Sequence, residues 1–393
     1  MQGSTLDLVL LAAVVIFAIS GYRQGFVVGA LSFAGFFGGA LLGVQLAPVV
    51  AAQLHADVTR LAIALAVVFM CAVLGQTAAV IVGGKIRDRM HHQHLRAIDS
   101  IGGGAVSAIA VLLVAWMVAA PLGNAPSPWI ASQVRRSAVI GAVNSIVPAP
   151  VRNLYTAFGD VVGRGDFPEV FGPLTPTQVT NVDPPDPRLA ALPVVQSAAR
   201  STVKVLGIAP SCDRRLEGTG FFYAPHRILT NAHVVAGVKQ LRVELSGRAV
   251  AARVVVYDPE RDLAVIYVPS LDAPAMQFAP AAKTNDDAIV VGFPLDGPYK
   301  PSEARIRDER VIKGPNIYNT GTVRRQVYTL RSTVKSGNSG GPLLAPNGKV
   351  YGVIFAAAAD DPQTGFALTA TEAAPVVNAG RTTTSPVSTQ DCD

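Results

Sequence analysis

Residues 336–342 read SGNSGGP, a serine set among three glycines with a proline closing the run. Gly, Ser and Asn build surface turns, so a plain loop is one reading. The other is chemical: a serine nucleophile needs a tight backbone around it, so that N–H groups converge on a developing oxyanion. The run alone does not choose. A base and an orienting acid have to come from elsewhere in the chain.

Only two histidines lie in the C-terminal half, His226 and His233. His226 follows a proline and reads as a turn residue. His233 stands in LTNAHVV, where a strand gives way to a turn. Further on comes DPERDLAVI. There Asp262 directly precedes an apolar strand, which would half-bury its carboxylate at the strand edge. Asp258 competes for the same role, but Asp-Pro is a turn-starting pair. The order His233, Asp262, Ser339 is that of a chymotrypsin-type triad. In that arrangement Ser339 attacks a carbonyl, His233 shuttles the proton, and Asp262 fixes the imidazole tautomer. The N–H groups of Gly337 and Ser339 would form the oxyanion hole.

The motifs GTGFF, LTNAHVV, DLAVI and GNSGGPL occur in this order across residues 195–378. In them the chain resembles the trypsin-like, HtrA-like bacterial serine proteases. The resemblance implies an all-β chymotrypsin-like double β-barrel and endopeptidase activity on proteins, with no cofactor or metal. Two departures matter. Animal trypsins have Asp before the catalytic serine, paired with a freed amine, and here the residue is Asn338. Thr333, six before Ser339, replaces the trypsin pocket Asp, so preference shifts from Arg or Lys to an uncharged residue. Phe355, Ala356 and Ala357 are expected to form the strand and pocket wall beside an extended substrate.

Upstream, residues 167–193 contain seven prolines. That density opposes helix and sheet and predicts an extended tether. Before it, SQVRRSAVIGAVNSIV has helical spacing. Further upstream lie four long apolar runs: Thr5–Gly21, Gly25–Ala52, Leu61–Gly84 and Ile101–Gly123. Each approaches the roughly 20 residues that cross a bilayer as a helix. Gly35, Gly39 and Gly43 recur every four residues, a spacing that lets helices approach closely. Lys85, Arg87, Arg89 and Arg96 gather between the third and fourth runs, and Arg23 between the first two. Positive loops stay in the cytoplasm, so everything beyond residue 123 falls on the periplasmic side of the inner membrane. The cluster His91, His92 and His94 reads as solvated rather than as a metal site. This region, beginning DLVLLAAVVIFAISGYRQGF, resembles the colicin V production protein family.

The composition agrees with a membrane portion. The chain is 50% hydrophobic and 15% charged, against about 25% charged for a soluble protein. Mean hydropathy is +0.37 and the pI about 9.3. The net charge of +6 comes without the basic-aromatic runs of a nucleic-acid binder. Cys71 lies in an apolar run. Cys212 and Cys392 are the only cysteines of the C-terminal half, and an oxidising compartment would pair them. Such a bridge is expected to tie the C-terminal tail down and brace the strand at Phe355 and the loop at Ser339.

The expected layout is a four-span transmembrane domain over residues 1–123, a linker over 124–193, and a protease domain over 194–393. The whole resembles a membrane-anchored type of mycobacterial serine protease without a PDZ domain. That implies cell-envelope protein substrates, with a role in acid and envelope stress. The exposed tether is a candidate for self-cleavage. The competing expectations are a transport or scaffold protein with the protease-like domain as sensor, and a chaperone-like binder.

Overall fold

The computed structural model describes residues 4–51, 57–90, 92–123, 127–148, 177–212 and 214–392. The chain divides into two compact units, residues 1–119 with 137–148, and residues 120–136 with 149–393.

The first unit is helical: α1 (Thr5–Gln24), α2 (Phe26–Ala51), α3 (Asp57–Asp88), α4 (Gln93–Gly123) and α6 (Ala138–Ile146). Among the described residues, three segments are long and apolar enough to cross a membrane, Thr5–Gln24, Phe69–Asp88 and Gln93–Ala119. Within α2 the described apolar stretch, Phe26–Phe36, is shorter. The small-residue face works as the spacing predicts. Gly35 and Gly39 lie against the backbone of α3 at Gly75 and Cys71, and a side chain at either would meet main chain. Arg87 is a fastener rather than a solvated loop charge. It pairs with Asp99 at 3.0 Å and donates to Gln24 O and Arg23 O, closing the α1–α2 turn. Asp99 in turn accepts from Val27 N at 2.8 Å, capping α2.

The helical stretch after residue 127 is broken into α5 (Pro128–Arg135) and α6. The break falls at Ser137, whose hydroxyl caps α6 by accepting from Ile140 N. Asp7 of α1 accepts from Ser137 Oγ at 2.5 Å and from Ala138 N and Val139 N. A carboxylate at a helix N-terminus satisfies donors that have no partner within the helix.

The second unit is β-rich. A short 3₁₀ turn (Pro187–Ala191) and α7 (Pro193–Ala199) lead into β1 (Thr202–Ala209), β2 (Arg214–Ala224), β3 (Arg227–Thr230), β4 (Gln240–Leu245), β5 (Arg248–Ala251), β6 (Arg253–Asp258) and β7 (Leu263–Tyr267). These form one seven-stranded sheet in the order β5-β4-β1-β2-β3-β7-β6. Then follow β8 (Asp287–Gly292), β9 (Lys300–Pro315), β10 (Thr322–Arg331), β11 (Pro342–Leu344), β12 (Val350–Ala357), β13 (Thr364–Thr369) and α8 (Ala370–Gly380). The second set closes into a barrel, β10-β13-β12-β11-β8-β9. Phe221, Leu229 and Val265 of the first sheet share one core with Ile289, Val327, Val353 and Phe366 of the barrel.

The tether is less free than its prolines predict. Residues 177–182 are bonded to the barrel. Thr177 donates its N–H and hydroxyl to the buried Asp360, and Thr180 donates its hydroxyl to Asp308 at 2.7 Å. Arg307, Arg310 and Arg331 donate to the carbonyls of Thr180, Gln178 and Val182. Three arginines on neighbouring strands thus satisfy the carbonyls of a proline-free stretch, 177–182, between Pro176 and Pro184.

Candidate active site

His233 opens a 3₁₀ turn, His233–Val235, and is 8% exposed. Asp262 is fully buried, in the left-handed backbone region at φ 58°. That conformation turns its carboxylate back under the histidine. Its oxygens lie 2.9 and 2.8 Å from His233 Nδ1, and Oδ1 also accepts from His233 N at 3.0 Å. A carboxylate can only accept, so Nδ1 carries a proton, and in the neutral imidazole the lone pair falls on Nε2. Asn231 Nδ2 donates to Asp262 O at 2.7 Å and holds the turn from behind. The competing carboxylate is otherwise engaged: Asp258 accepts from Glu260 N and Arg261 N and pairs with the Arg261 guanidinium at 3.1 Å. It builds the turn that presents Asp262.

Ser339 lies in the barrel's β10–β11 loop and is 3% exposed. Its carbonyl accepts from Thr219 N of β2 at 2.8 Å. Gly218 sits beside both halves of the site: a side chain there would lie within 2.7 Å of Val234 and 3.1 Å of Ser339 O. Leaving it out brings the His233 turn and the Ser339 loop together.

The peptides before the serine are fixed by bonds from outside the loop and by one within it. Ser336 O accepts from Leu295 N at 2.8 Å, and Gly337 O from Thr219 Oγ1 at 2.6 Å. Asn338 Oδ1 accepts from Lys335 N at 3.0 Å, so this residue closes the loop upon itself where trypsins use an ion pair. The Ser336–Gly337 peptide is trans. With its carbonyl turned toward Leu295, its N–H faces the opposite way. Gly337 adopts φ 88°, which side chains resist, and a Cβ would run into Phe293 O.

The residues expected around the pocket occupy different environments. Thr333 is exposed, while Phe355 and Ala356 are fully buried. The β12–β13 register shifts between Ile354 and Ala356, and the Phe355 ring joins the shared core. What Phe355 offers an incoming chain is therefore backbone. Ala357 pairs with Gly365, whose missing side chain makes room for the buried Val334.

Three further residues support the site: Thr219 and Asn231, which lie inside the GTGFF and LTNAHVV motifs, and Arg325, which no motif marks. Arg325 of β10 is 2% exposed and donates to Glu260 O at 2.7 Å and Pro315 O at 3.1 Å. Burial pushes its guanidinium down, while the charges of Asp262, Glu372, Asp258 and Glu260 act the other way. It fastens the Asp262 turn to the barrel.

Cys212 and Cys392 are joined as a disulfide, with Cα atoms 6.6 Å apart. The tail it anchors does not run past Phe355. Val387 N donates to Val254 O, Thr389 Oγ1 to Val238 O, and Gly237 N to Thr389 O. The tail therefore laces the first sheet just after the His233 turn. Among the described residues no group of His, Cys, Asp and Glu is arranged to hold a metal; His91 lies outside them.

This fold and site define a serine endopeptidase of the trypsin-like class. Family models divide the chain as its two units suggest: "Trypsin-like peptidase domain" matches residues 218–353, and "Colicin V production protein" matches residues 6–148. The serine protease Rv3671c of Mycobacterium tuberculosis (strain ATCC 25618 / H37Rv) is 40% identical over 372 residues, 94% of each chain. The crystal structure of the active form of the M. tuberculosis Rv3671c protease is 45% identical, with a TM-score of 0.54. It covers 56% of this chain and 96% of that one. A probable periplasmic serine endoprotease, DegP-like, of Chlamydia pneumoniae is 34% identical over 148 residues, 37% of this chain and 29% of that protein. The chain belongs to the family of the mycobacterial serine protease Rv3671c, and its substrates are proteins.

Proposed function

We propose that this chain is a membrane-anchored endopeptidase whose nucleophile is Ser339, with His233 as general base and Asp262 as its orienting acid. The observation that carries this is the bond of His233 Nδ1 to the buried Asp262, on a turn that packs with Ser339 O around Gly218 and whose neutral imidazole has its lone pair on Nε2. Ser339 Oγ attacks the scissile carbonyl as His233 takes its proton. The oxyanion is received by the N–H groups of Gly337 and Ser339. His233 then protonates the leaving amine, and water hydrolyses the acyl-enzyme. The substrate lies along Phe355–Ala357, and Thr333 at the pocket favours an uncharged side chain.

Four spans over residues 1–123 hold the enzyme in the inner membrane, a linker follows over 124–193, and a double-barrel protease domain over 194–393 stands in the periplasm. Loop charges support that orientation, since Arg23, Lys85 and Arg87 flank the spans. A self-inflicted cut upstream of Thr177 leaves the strapped residues 177–182 on the protease domain. The likeness to the mycobacterial relative over the full layout supports a role in acid and envelope stress.

The test is covalent labelling of membranes with a fluorophosphonate. Label on Ser339, lost in Ser339→Ala, is the expected result; an unlabelled wild-type chain in its native membrane sinks the reading. For topology, cysteine placed at Thr180 should react with a membrane-impermeant thiol reagent in intact cells, and cysteine at Gln93 should not.

A further inference from the structure

The loop that holds the oxyanion peptide is itself in an unfavourable conformation. Leu295 lies at φ 56° and ψ 43°, and Asp296 at φ 54°. Two successive side-chain-bearing residues in the left-handed region persist only where the surroundings over-determine them. The Leu295 side chain does not explain the conformation, because it is 64% exposed. Its amide does something specific: it donates to Ser336 O at 2.8 Å and so sets which way the Ser336–Gly337 peptide faces.

What over-determines the loop comes from the other sheet. Lys204 of β1 donates to Asp296 O at 2.8 Å and to Asp296 Oδ1 at 2.9 Å. The ammonium therefore grips the loop by both main chain and side chain. It is held in place, with the Lys204 side chain only 15% exposed and its Nζ 5.5 Å from the centre of the Phe293 ring. Arg215 of β2 adds a longer contact to Asp296 Oδ2, at 3.6 Å.

We propose that Lys204 and Asp296 are positioning residues for catalysis, a latch from the first sheet that keeps the Gly337 N–H aimed into the oxyanion hole. This rests on the serine-peptidase reading. Without the latch the Leu295–Asp296 pair relaxes toward ordinary backbone angles, Leu295 N leaves Ser336 O, and the peptide is free to turn its N–H away. Such a loss falls on the charged intermediate and not on the substrate ground state.

The test uses the full-length chain in detergent. Fluorophosphonate titration counts competent sites, so kcat is expressed per labelled Ser339. Asp296→Asn and Lys204→Met should each lower kcat, by up to the ~10²-fold that one lost oxyanion donor removes. KM and the melting temperature should stay near wild type. A peptidyl trifluoromethyl ketone, which forms an oxyanion on the enzyme, should lose affinity by the same factor as kcat. Lys204→Arg, which keeps a donor, should recover most of the rate. Wild-type kcat in both variants, or a rate loss expressed entirely in KM, overturns the latch while leaving the labelled peptidase intact. A wild-type chain that takes no label overturns both.

Discussion

On the first sheet, His233, Asp262 and Asn231 are bonded to one another across at most 31 residues of chain. The barrel side of the site is held differently. The loop around Ser339 takes its shape from Thr219, 118 residues from Gly337, and from the Leu295 amide. The proposed base and its acid form a closed local unit, whereas the loop of the proposed nucleophile is set by partners from both sheets. The first kind of site fails outright when a member is removed. The second fails by degrees, as each outside support is withdrawn.

Substitutions within the reacting groups should break activity most. Ser339→Ala should lower kcat on a cleavable peptide by about 10⁶, and Asp262→Asn by about 10⁴ through the wrong imidazole tautomer. Circular dichroism should report an unchanged fold. Near-normal turnover in Asp262→Asn would return the role to Asp258, whose present bonds only build the turn. The loop half should give a smaller loss. Gly337→Ala adds a Cβ against Phe293 O at φ 88°, which tilts the oxyanion peptide and should cost ~10²–10³ in kcat. If Gly337→Ala cost as much as Asp262→Asn, the distinction between the two halves would fall.

The disulfide sharpens the comparison because it belongs to the local half. It closes 180 residues of chain, for which chain entropy gives roughly 5 kcal/mol at most, reduced by native strain. A realised loss of about 3 kcal/mol corresponds to a melting temperature lower by about 10 °C for a domain of this size. The tail keeps its other bonds, at Val238, Gly237 and Val254, beside the His233 turn. Cys212→Ser with Cys392→Ser should therefore melt earlier yet keep kcat within about threefold at 25 °C. Measuring both on one preparation separates the two effects. A large fall in kcat with unchanged melting would show that the bridge acts on the site rather than on the fold.

The residues proposed to react can be picked out in the sequence because their chemistry is local: a turn before a histidine, an acid before an apolar strand, a serine between glycines. Most strands were legible as short β-rich runs, but not β5, β11 or, above all, β9. Its segment EARIRDERVIKG is rich in charge and does not read as a strand. Its apolar positions Ala304, Ile306 and Ile312 are buried, while Arg305 pairs outward with Asp287. The alternation was there, masked by side chains that pay their desolvation through ion pairs on the barrel's outer face. The supports of the site were not legible, for a different reason. Arg325 meets Glu260 and Lys204 meets Asp296 only after the two sheets have docked, and no local pattern marks either pair. The direction of the Phe355 ring was not legible for the same reason: the irregular β12–β13 pairing beside it is a property of strand pairing, not of composition.

The smallest expected effect lies where the halves meet. Glu217 of β2 faces Asp296, with Lys204 and Arg215 around the same carboxylate. Burial raises the Glu217 carboxyl above its ordinary value, and the Asp296 charge and a hydrogen bond between the two acids raise it further. Lys204 and Arg215 oppose this without cancelling it. The Lys204 hydrogen bond holds Asp296 low, so the proton at this junction belongs to Glu217. An acid whose folded pKa is raised binds its proton more tightly in the folded chain. Its stabilising effect is complete below the unfolded value of 4.5 and is lost as pH rises through the higher folded value. At neutral pH the ionised Glu217 is therefore a small burden on the fold. Glu217→Gln, which keeps the hydrogen-bonding shape and cannot ionise, should melt slightly higher than wild type at pH 7. The two proteins should converge as the pH falls below about 4.5. Paired melting curves between pH 4 and 8 measure the difference. A gap that stays constant with pH, or one that opens toward acid, would mean that Glu217 does not hold the proton at this contact.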